Sequence, residues 1–118
     1  MNDFRFNKLQ VYNDAKLLHR KIVFVTKHWP SDFYYLKDQV RRSSLSSVLN
    51  VAEGSGKDSD REFNRYIQNA LGSANETAAC IDVALGEKLL DAKTAEELLN
   101  LAEQLRNKLG ALSKTLKS

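Results

Sequence analysis

Apolar residues recur at steps of three and four along four stretches of this chain, and polar residues occupy the positions between them. On an α-helix this spacing gathers the apolar side chains onto one face. No segment shows the convincing period of two that marks a half-buried β-strand. The pattern therefore predicts an all-α protein whose helices cover about residues 8–28, 32–53, 60–89 and 95–116.

The second and third predicted helices carry small residues on their apolar faces. Ser44 lies in the stripe of the second helix, and Ala70 and Ala74 lie in the stripe of the third. Small side chains allow two helix backbones to approach closely. Gly72 and Gly86 each cost roughly 1 kcal/mol relative to Ala within a helix, so we expect them to admit a neighbouring backbone or side chain.

The ends of the predicted helices carry local signals. Pro30 ends the first helix because it cannot donate the next backbone hydrogen bond, and we expect Ser31 to cap the second helix. Gly54 and Gly56 are expected to end the second helix in the left-handed conformation that glycine tolerates. Capping boxes of the Ser/Thr-x-x-Glu type open the third and fourth helices: Ser59–Glu62 and Thr94–Glu97.

The short connections make consecutive helices antiparallel neighbours, which predicts an up-down-up-down four-helix bundle. We expect one domain over residues 1–118. The first residues stand outside the first helix, with Phe4 and Phe6 on either side of Arg5. Two alternatives remain open for them: they pack across one end of the bundle, or they contact another subunit.

Composition adds an expected location and a charge asymmetry. Cys80 is the single cysteine, the N-terminal residues lack the apolar core of a signal peptide, and no apolar run is long enough to span a bilayer. These features predict a cytoplasmic protein without a membrane segment. Residues 1–57 hold ten Lys/Arg and five Asp/Glu, whereas residues 58–118 hold eight and ten. A basic first half permits binding of nucleic acid or of an acidic protein.

No arrangement of reactive residues in the sequence supports catalysis. Gly54–Lys57 lacks the spacing, the following Ser/Thr and the preceding strand of a phosphate-binding P-loop. His19 and His28 are nine residues apart, which does not match the one-turn spacing of helical metal ligands. Cys80 has no evident His partner. The acidic residues Glu53, Glu62 and Glu76 lack the Glu-x-x-His pattern of metal-binding bundles. We therefore predict a non-enzyme with no metal and no cofactor.

Several basic residues lie one helical turn apart, where like charges repel. An anion facing them would offset that cost, although solvated pairing, for example of Asp38 with Arg41 or Arg42, is the alternative explanation. Tyr34, Tyr35 and Tyr66 are available to stack on bases. The candidate nucleic-acid-binding residues are Lys16, Arg20, Lys37, Arg41, Arg42, Arg61 and Arg65.

The chain also carries four short motifs in a fixed order: Gln39-Val-Arg-Arg42, Asn50-Val-Ala-Glu-Gly54, Glu62-Phe63 and Gly72-Ser73 followed by Glu76. With them, the stretch from about residue 8 to residue 90 resembles the bacterial four-helix-bundle proteins encoded within intervening sequences of 23S ribosomal RNA genes. The resemblance implies an antiparallel four-helix bundle without catalytic residues. By extension to related accessory proteins of diversity-generating retroelements, it implies a homopentameric ring that engages nucleic acid and a reverse transcriptase through a basic surface.

The same resemblance assigns structural roles to the motif residues. Asn50 and Glu53 are expected to bond to the backbone or to a facing Arg where the second and third helices meet. The structural motif residues are Asn50, Glu53, Gly54, Glu62, Phe63, Gly72 and Glu76.

Two functional hypotheses follow. The first is an oligomeric protein that binds RNA or DNA by neutralising phosphates, with little reading of bases. The second is a protein-interaction scaffold or accessory subunit, in which the same charges and the aromatic residues Phe4, Phe6 and Tyr34 contact neighbouring subunits or a partner enzyme.

Overall fold

Four α-helices make up most of the protein, whose computed structural model describes residues 2–118; Met1 of the predicted domain lies outside the described residues. Two short 3₁₀ helices, Arg5–Lys8 and Ser31–Phe33, precede the first two α-helices. Residues 2–118 contain no β-strand, which confirms the all-α prediction. The α-helices are α1 (Gln10–Thr26), α2 (Tyr34–Ser55), α3 (Asp60–Gly86) and α4 (Ala92–Lys117).

Each helix packs against two neighbours. α1 lies beside α2 and α4, and α3 lies beside α2 and α4, whereas no Cα atoms of the diagonal pairs in the described chain come within 8 Å of each other. The antiparallel direction is visible between α2 and α3, where Ser43 bonds to Thr77, Ser46 bonds to Ser73, and Gly54 lies against Tyr66. The up-down-up-down bundle is therefore confirmed. No helix within residues 2–118 combines the length and the apolar character needed to cross a bilayer.

The predicted apolar stripes form the core. In α3 every stripe position from Phe63 to Ala84 is buried, and in α1 the stripe is buried from Val11 to Ile22. Val25 and Trp29, which continue the same spacing beyond Ile22, are only half-buried. The largest fully buried side chains include Phe63, Leu18, Ile22, Ile67, Ile81, Leu98, Leu105 and Leu109.

Small residues bring α2 and α3 close together, as their sequences predict. A Cβ added at Gly54 would lie 2.8 Å from Cβ of Tyr66 and 3.2 Å from the carbonyl oxygen of Phe63. The buried Ser43 hydroxyl lies 2.8 Å from that of Thr77 and bonds back to the Val40 carbonyl of its own helix. This interface therefore buries hydroxyl groups without leaving them unpaired.

The close approach occurs at Gly54 and not at the two glycines where the sequence suggested it. A Cβ at Gly72 or Gly86 would meet nothing within 4 Å. That expectation was wrong because both residues lie on exposed positions of α3, away from the neighbouring helices.

Several predicted helix ends also differ. α2 begins at Tyr34, after the 3₁₀ turn, and Ser31 provides no side-chain cap. α2 continues through Gly54 to Ser55, and no glycine in residues 2–118 has a positive φ. The left-handed residue is Lys88, with φ of 63°, at the end of α3. There the amides of Lys88 and Leu89 bond to the carbonyls of Leu85 and Ala84, which is the Schellman arrangement.

The two predicted capping boxes have different outcomes. Ser59 caps α3, since its hydroxyl accepts the Glu62 amide proton at 3.1 Å, while the Glu62 carboxylate pairs with Arg65. Thr94 does not cap α4. Asp91 is the N-cap, and its carboxylate accepts the Thr94 amide proton at 2.7 Å, so the helix begins earlier than predicted. The hydrogen bonds from Thr94 lower the pKa of Asp91.

The N-terminal segment packs across the end of the bundle where α2 finishes. Arg5 donates from Nη1 to the Ser55 carbonyl at 3.4 Å, and its guanidinium lies 5.0 Å from the ring centroid of Phe63. The rings of Phe6 and Tyr12 pack together with their centroids 4.7 Å apart. Of the two alternatives for this segment, the structure shows the packed one.

We predict that Gly54→Ala lowers the free energy of unfolding by about 1–3 kcal/mol, because the new methyl group overlaps Cβ of Tyr66 and crowds the Phe63 carbonyl of α3. The matched control is Gly72→Ala at an exposed position of α3. This substitution should raise the free energy of unfolding by up to about 1 kcal/mol, because alanine has the higher helix propensity. Urea denaturation followed by circular dichroism measures both. Equal effects of the two substitutions would contradict a close approach at Gly54.

Candidate nucleic-acid interface

The exposed side of α1 carries a concentration of positive charge. Lys16, Arg20 and Lys21 are exposed along this helix, and Lys27 is exposed at its C-terminal cap. No exposed residue of α1 is acidic; its one carboxylate, Asp14, is half-buried and pairs with Lys108 of α4 at 2.8 Å. We call Lys16, Arg20, Lys21 and Lys27 the α1 basic face.

Aromatic rings lie among these cations. Phe24 is 72% exposed, and Nζ of Lys27 lies 5.8 Å from its ring centroid. At the other end of α1, Nζ of Lys16 lies 5.1 Å from the ring of Tyr12. Tyr34 is 68% exposed at the start of α2, which follows the C-terminus of α1 after a short connection. Basic residues interleaved with exposed rings are typical of surfaces that bind single-stranded nucleic acid.

Two of the predicted binding residues stabilise the end of α1. Nε of Arg41 donates to Oγ1 of Thr26 at 2.9 Å, and its Nη2 donates to the Val23 carbonyl at 3.1 Å. Nζ of Lys37 donates to the Lys27 carbonyl at 3.3 Å. The last carbonyls of a helix have no partner within it and carry partial negative charge. Arg41 and Lys37 therefore act as a C-terminal cap supplied by the neighbouring helix.

The other three candidates lie away from the α1 basic face. Arg42 points to the outer side of α2 and pairs weakly with Asp38. Arg61 and Arg65 are exposed near the start of α3, which lies diagonally across the bundle from α1. Arg65 pairs with Glu62 at 3.1 Å and lies over the Tyr66 ring. The fold therefore does not gather the seven candidates into one patch.

The predicted roles of Asn50, Glu53 and Glu76 are met only in part. Asn50 bonds through Nδ2 to the Ser46 carbonyl of its own helix at 2.9 Å. Glu53 is exposed and forms no ion pair with any residue in 2–118, so the expected facing Arg is absent from that part of the chain. Glu76 accepts a hydrogen bond from the Gln39 side chain across the α2–α3 seam.

A polar pair connects α1 and α2 below the basic face. Nδ1 of the half-buried His19 lies 2.7 Å from Oγ of the fully buried Ser44. Burial lowers the pKa of His19, and the neighbouring Arg41 charge lowers it further. The neutral imidazole is thus the form that suits this seam.

Other reactive groups are poorly placed for chemistry. Burial raises the pKa of the Cys80 thiol, with a further contribution from the Glu76 carboxylate, and this disfavours the nucleophilic thiolate. No group of three or more potential metal ligands occurs within residues 2–118. Ser44, the hydrogen-bond partner of His19, is fully buried, so its hydroxyl is not accessible from solvent.

A groove beside the α1 basic face runs between α1 and α4. Its volume is about 800 Å³, and α1 contributes the exposed apolar side chains Leu17 and Phe24 to its wall. Arg20, Lys21 and Glu97 also line it. The groove forms because α1 and α4 make the least extensive contact of the four neighbouring pairs.

Sequence reasoning missed Lys21, Lys27 and Phe24 as members of this surface. The signal was available, because removal of the apolar stripe of α1 leaves a helix whose remaining charged positions are mainly basic. The sequence prediction relied on basic residues spaced one turn apart, and the fold places those residues on three different helices.

Comparisons with known proteins agree with the fold. Residues 7–111 match the family model of the 23S rRNA-intervening sequence proteins. A crystal structure of a protein with unknown function from the S23 ribosomal protein family of Bacteroides thetaiotaomicron superposes with a TM-score of 0.81 and 20% identity, covering 88% of this chain and 98% of that chain. At this identity the likeness concerns the fold alone. No curated protein matches the chain in sequence.

We predict that Arg41→Ala lowers the free energy of unfolding by about 2 kcal/mol, because a charged donor to two acceptors at the end of α1 is lost. Arg20→Ala, which removes an exposed guanidinium from α1, is the control and should change it by less than about 0.5 kcal/mol. Urea denaturation at neutral pH compares them. The cap would be disproved by equal losses in the two variants.

The lowered pKa of His19 predicts a pH-dependent stability. Protonation is easier in the unfolded chain, where the histidine pKa is about 6.5, so the folded state loses stability as the pH falls below that value. Unfolding free energies of the wild type should decrease between neutral pH and mildly acidic pH. His19→Gln should remove part of that decrease, whereas the exposed His28→Gln should retain it. A decrease unchanged by His19→Gln would contradict the assignment.

Proposed function

The chain belongs to the family of 23S rRNA-intervening sequence proteins, and from that premise we propose that it is a non-enzymatic, oligomeric protein that binds RNA or DNA. The α1 basic face is the proposed contact surface. One observation carries the proposal: α1 exposes cations along its length and exposes no carboxylate of its own.

The cations of this face have few partners inside the protein. Lys16, Arg20 and Lys21 form no ion pair with any residue in the described part of the chain. Like charges one turn apart destabilise a helix by a few tenths of a kcal/mol. A phosphate backbone facing them would convert this repulsion into attraction and would release counterions.

The geometry favours backbone contact over base reading. The α1 basic face extends about 16 Å along the helix axis from Lys16 to Lys27. Its lysine ammonium groups and the Arg20 guanidinium bind phosphate oxygens well and carry no information about base identity. Phe24 and Tyr34 offer ring faces to unpaired bases without selecting among them. We therefore expect a preference for looped or single-stranded RNA, with weak dependence on sequence.

Oligomerisation would strengthen such binding. Each subunit supplies only a small number of phosphate contacts, and several copies joined together raise the effective concentration of the remaining faces. The homopentameric ring implied by the sequence resemblance is one assembly that would do this.

The second candidate function is a protein-interaction scaffold. The groove between α1 and α4 favours it, since Leu17 and Phe24 are 43% and 72% exposed beside an opening of about 800 Å³. Such an apolar recess with a charged rim accommodates a side chain or a short helix of another protein.

A binding experiment with two charge-reversal variants tests the first function. We predict that the wild type binds a fluorescently labelled RNA hairpin with an affinity that falls as salt rises. Lys16→Glu/Arg20→Glu should weaken binding by at least about tenfold and reduce the log–log salt slope by about 1.4–1.8, since each phosphate contact contributes about 0.7 in single strands and about 0.9 in a duplex. Fluorescence anisotropy across a salt series measures both quantities.

The matched control is Arg61→Glu/Arg65→Glu, which makes the same change in net charge on α3. It should retain most of the affinity. Equal weakening in both variants would indicate binding through net charge alone and would contradict the α1 basic face, and absence of salt-sensitive binding would contradict nucleic-acid binding itself.

A further inference from the structure

The groove between α1 and α4 has an apolar lining that extends over two turns of α1. Leu17 and Phe24 are exposed on its α1 wall. Val25, Leu98 and Leu101 lie deeper, since Leu98 is buried and the other two are half-buried. Leu17 and Phe24 are seven residues apart, which corresponds to about 10.5 Å along the helix axis. The groove therefore suits an elongated ligand with one apolar side.

Opposite charges line the two sides of this groove without pairing across it. Arg20 and Lys21 are exposed on the α1 side, and Glu97 is exposed on the α4 side. None of the three forms an ion pair with any residue in 2–118. The predicted capping role of Glu97 is also unused, because Asp91 caps α4. All three charges are therefore available to a molecule that enters the groove.

The lining indicates an acidic amphipathic helix as the occupant. A helix that lays its apolar face into a groove does so through anchors at positions i, i+3 or i+4, and i+7, and the spacing of Leu17 and Phe24 matches that length. Two cations and one carboxylate give the lining a net positive charge, so an acidic helix is favoured. Its carboxylates would face Arg20 and Lys21, and a basic residue on its opposite flank would face Glu97. A nucleic-acid backbone has no apolar face to cover the floor of the groove.

We propose that this groove is the docking site for an acidic amphipathic helix of a partner protein. The apolar face of that helix packs against Leu17, Phe24 and Leu101, and its carboxylates pair with Arg20 and Lys21. The proposal rests on the second candidate function, the protein-interaction scaffold, and specifies the class of partner that the scaffold accepts.

The partner helix and RNA compete for the same side chains. Arg20 and Lys21 belong both to the groove and to the α1 basic face, and Phe24 lies beside both. A carboxylate paired with Arg20 removes a charge that a phosphate would otherwise neutralise. A helix packed on Phe24 covers the ring on which a base would stack. Occupation of the groove therefore weakens RNA binding, a consequence that also rests on the proposed RNA-binding function.

A synthetic peptide tests the docking directly. The probe is a fluorescently labelled peptide of about 16 residues, because shorter isolated helices are marginal in water. It carries leucines at the i, i+4, i+7 spacing, glutamates along one flank and a lysine on the other. We expect its fluorescence anisotropy to rise with micromolar protein. Leu17→Ser/Phe24→Ser should weaken binding by at least about tenfold, because the apolar contacts of the groove are lost.

Matched controls separate the groove from general stickiness and from misfolding. Leu45→Ser/Leu49→Ser, which changes two exposed leucines of α2, should leave the affinity unchanged. A peptide of the same composition with its leucines scattered around the helix should bind at least about tenfold more weakly, as should one with lysines in place of the glutamates. Circular dichroism spectra should be the same for all protein variants, because the replaced side chains are exposed.

The docking site would be overturned if the wild type failed to bind the designed peptide or bound the scattered peptide equally well. A lower solution mass of Leu17→Ser/Phe24→Ser in analytical ultracentrifugation would assign the groove to a contact between copies and would also overturn it. The unlabelled peptide should displace a labelled RNA hairpin, and peptide binding without displacement would disprove the competition. A hairpin that does not bind even without peptide would contradict the proposed function, while the peptide titration would still decide the docking site.

Discussion

The close approach of α2 to α3 is the constraint on which the rest of the bundle depends. Gly54 leaves no room for a methyl group beside Tyr66, and the serine-rich face of α2 keeps the two backbones near each other along their length. On the α2 side this contact buries mainly serine and valine side chains, so its stability depends on close packing and on hydroxyl groups that are already paired. α1 and α4 complete the core with larger residues from their own stripes.

The ends of the helices explain why the basic residues have different roles. Arg41 and Lys37 bind the last carbonyls of α1, and Arg5 binds the Ser55 carbonyl at the end of α2. In each case a cation from another segment meets the negative end of a helix dipole. These residues are basic for a structural reason. Lys16, Arg20 and Lys21 of the α1 basic face, by contrast, form no ion pair in the described part of the chain. This distinction could be made only after the helices were packed.

The proposed contact surface lies on one helix of each subunit. α1 presents cations with exposed rings on its outward side. Faces joined in an oligomer bind a polyanion more tightly than single ones, because the second contact is intramolecular. Assembly and nucleic-acid binding are thus compatible in one molecule.

The sequence by itself determined the four helices, their buried faces and the Ser59 cap, because helix periodicity and N-capping depend on residues within one or two turns of each other. It also indicated the small-residue contact between α2 and α3. Only the tertiary structure decided that Arg41 caps α1, that Gly54 rather than Gly72 marks the close approach, and that the basic candidates lie on separate surfaces. The partner of Arg41 is Thr26, fifteen residues away on another helix. Such contacts are set by how the helices cross and rotate against one another, which no local spacing encodes.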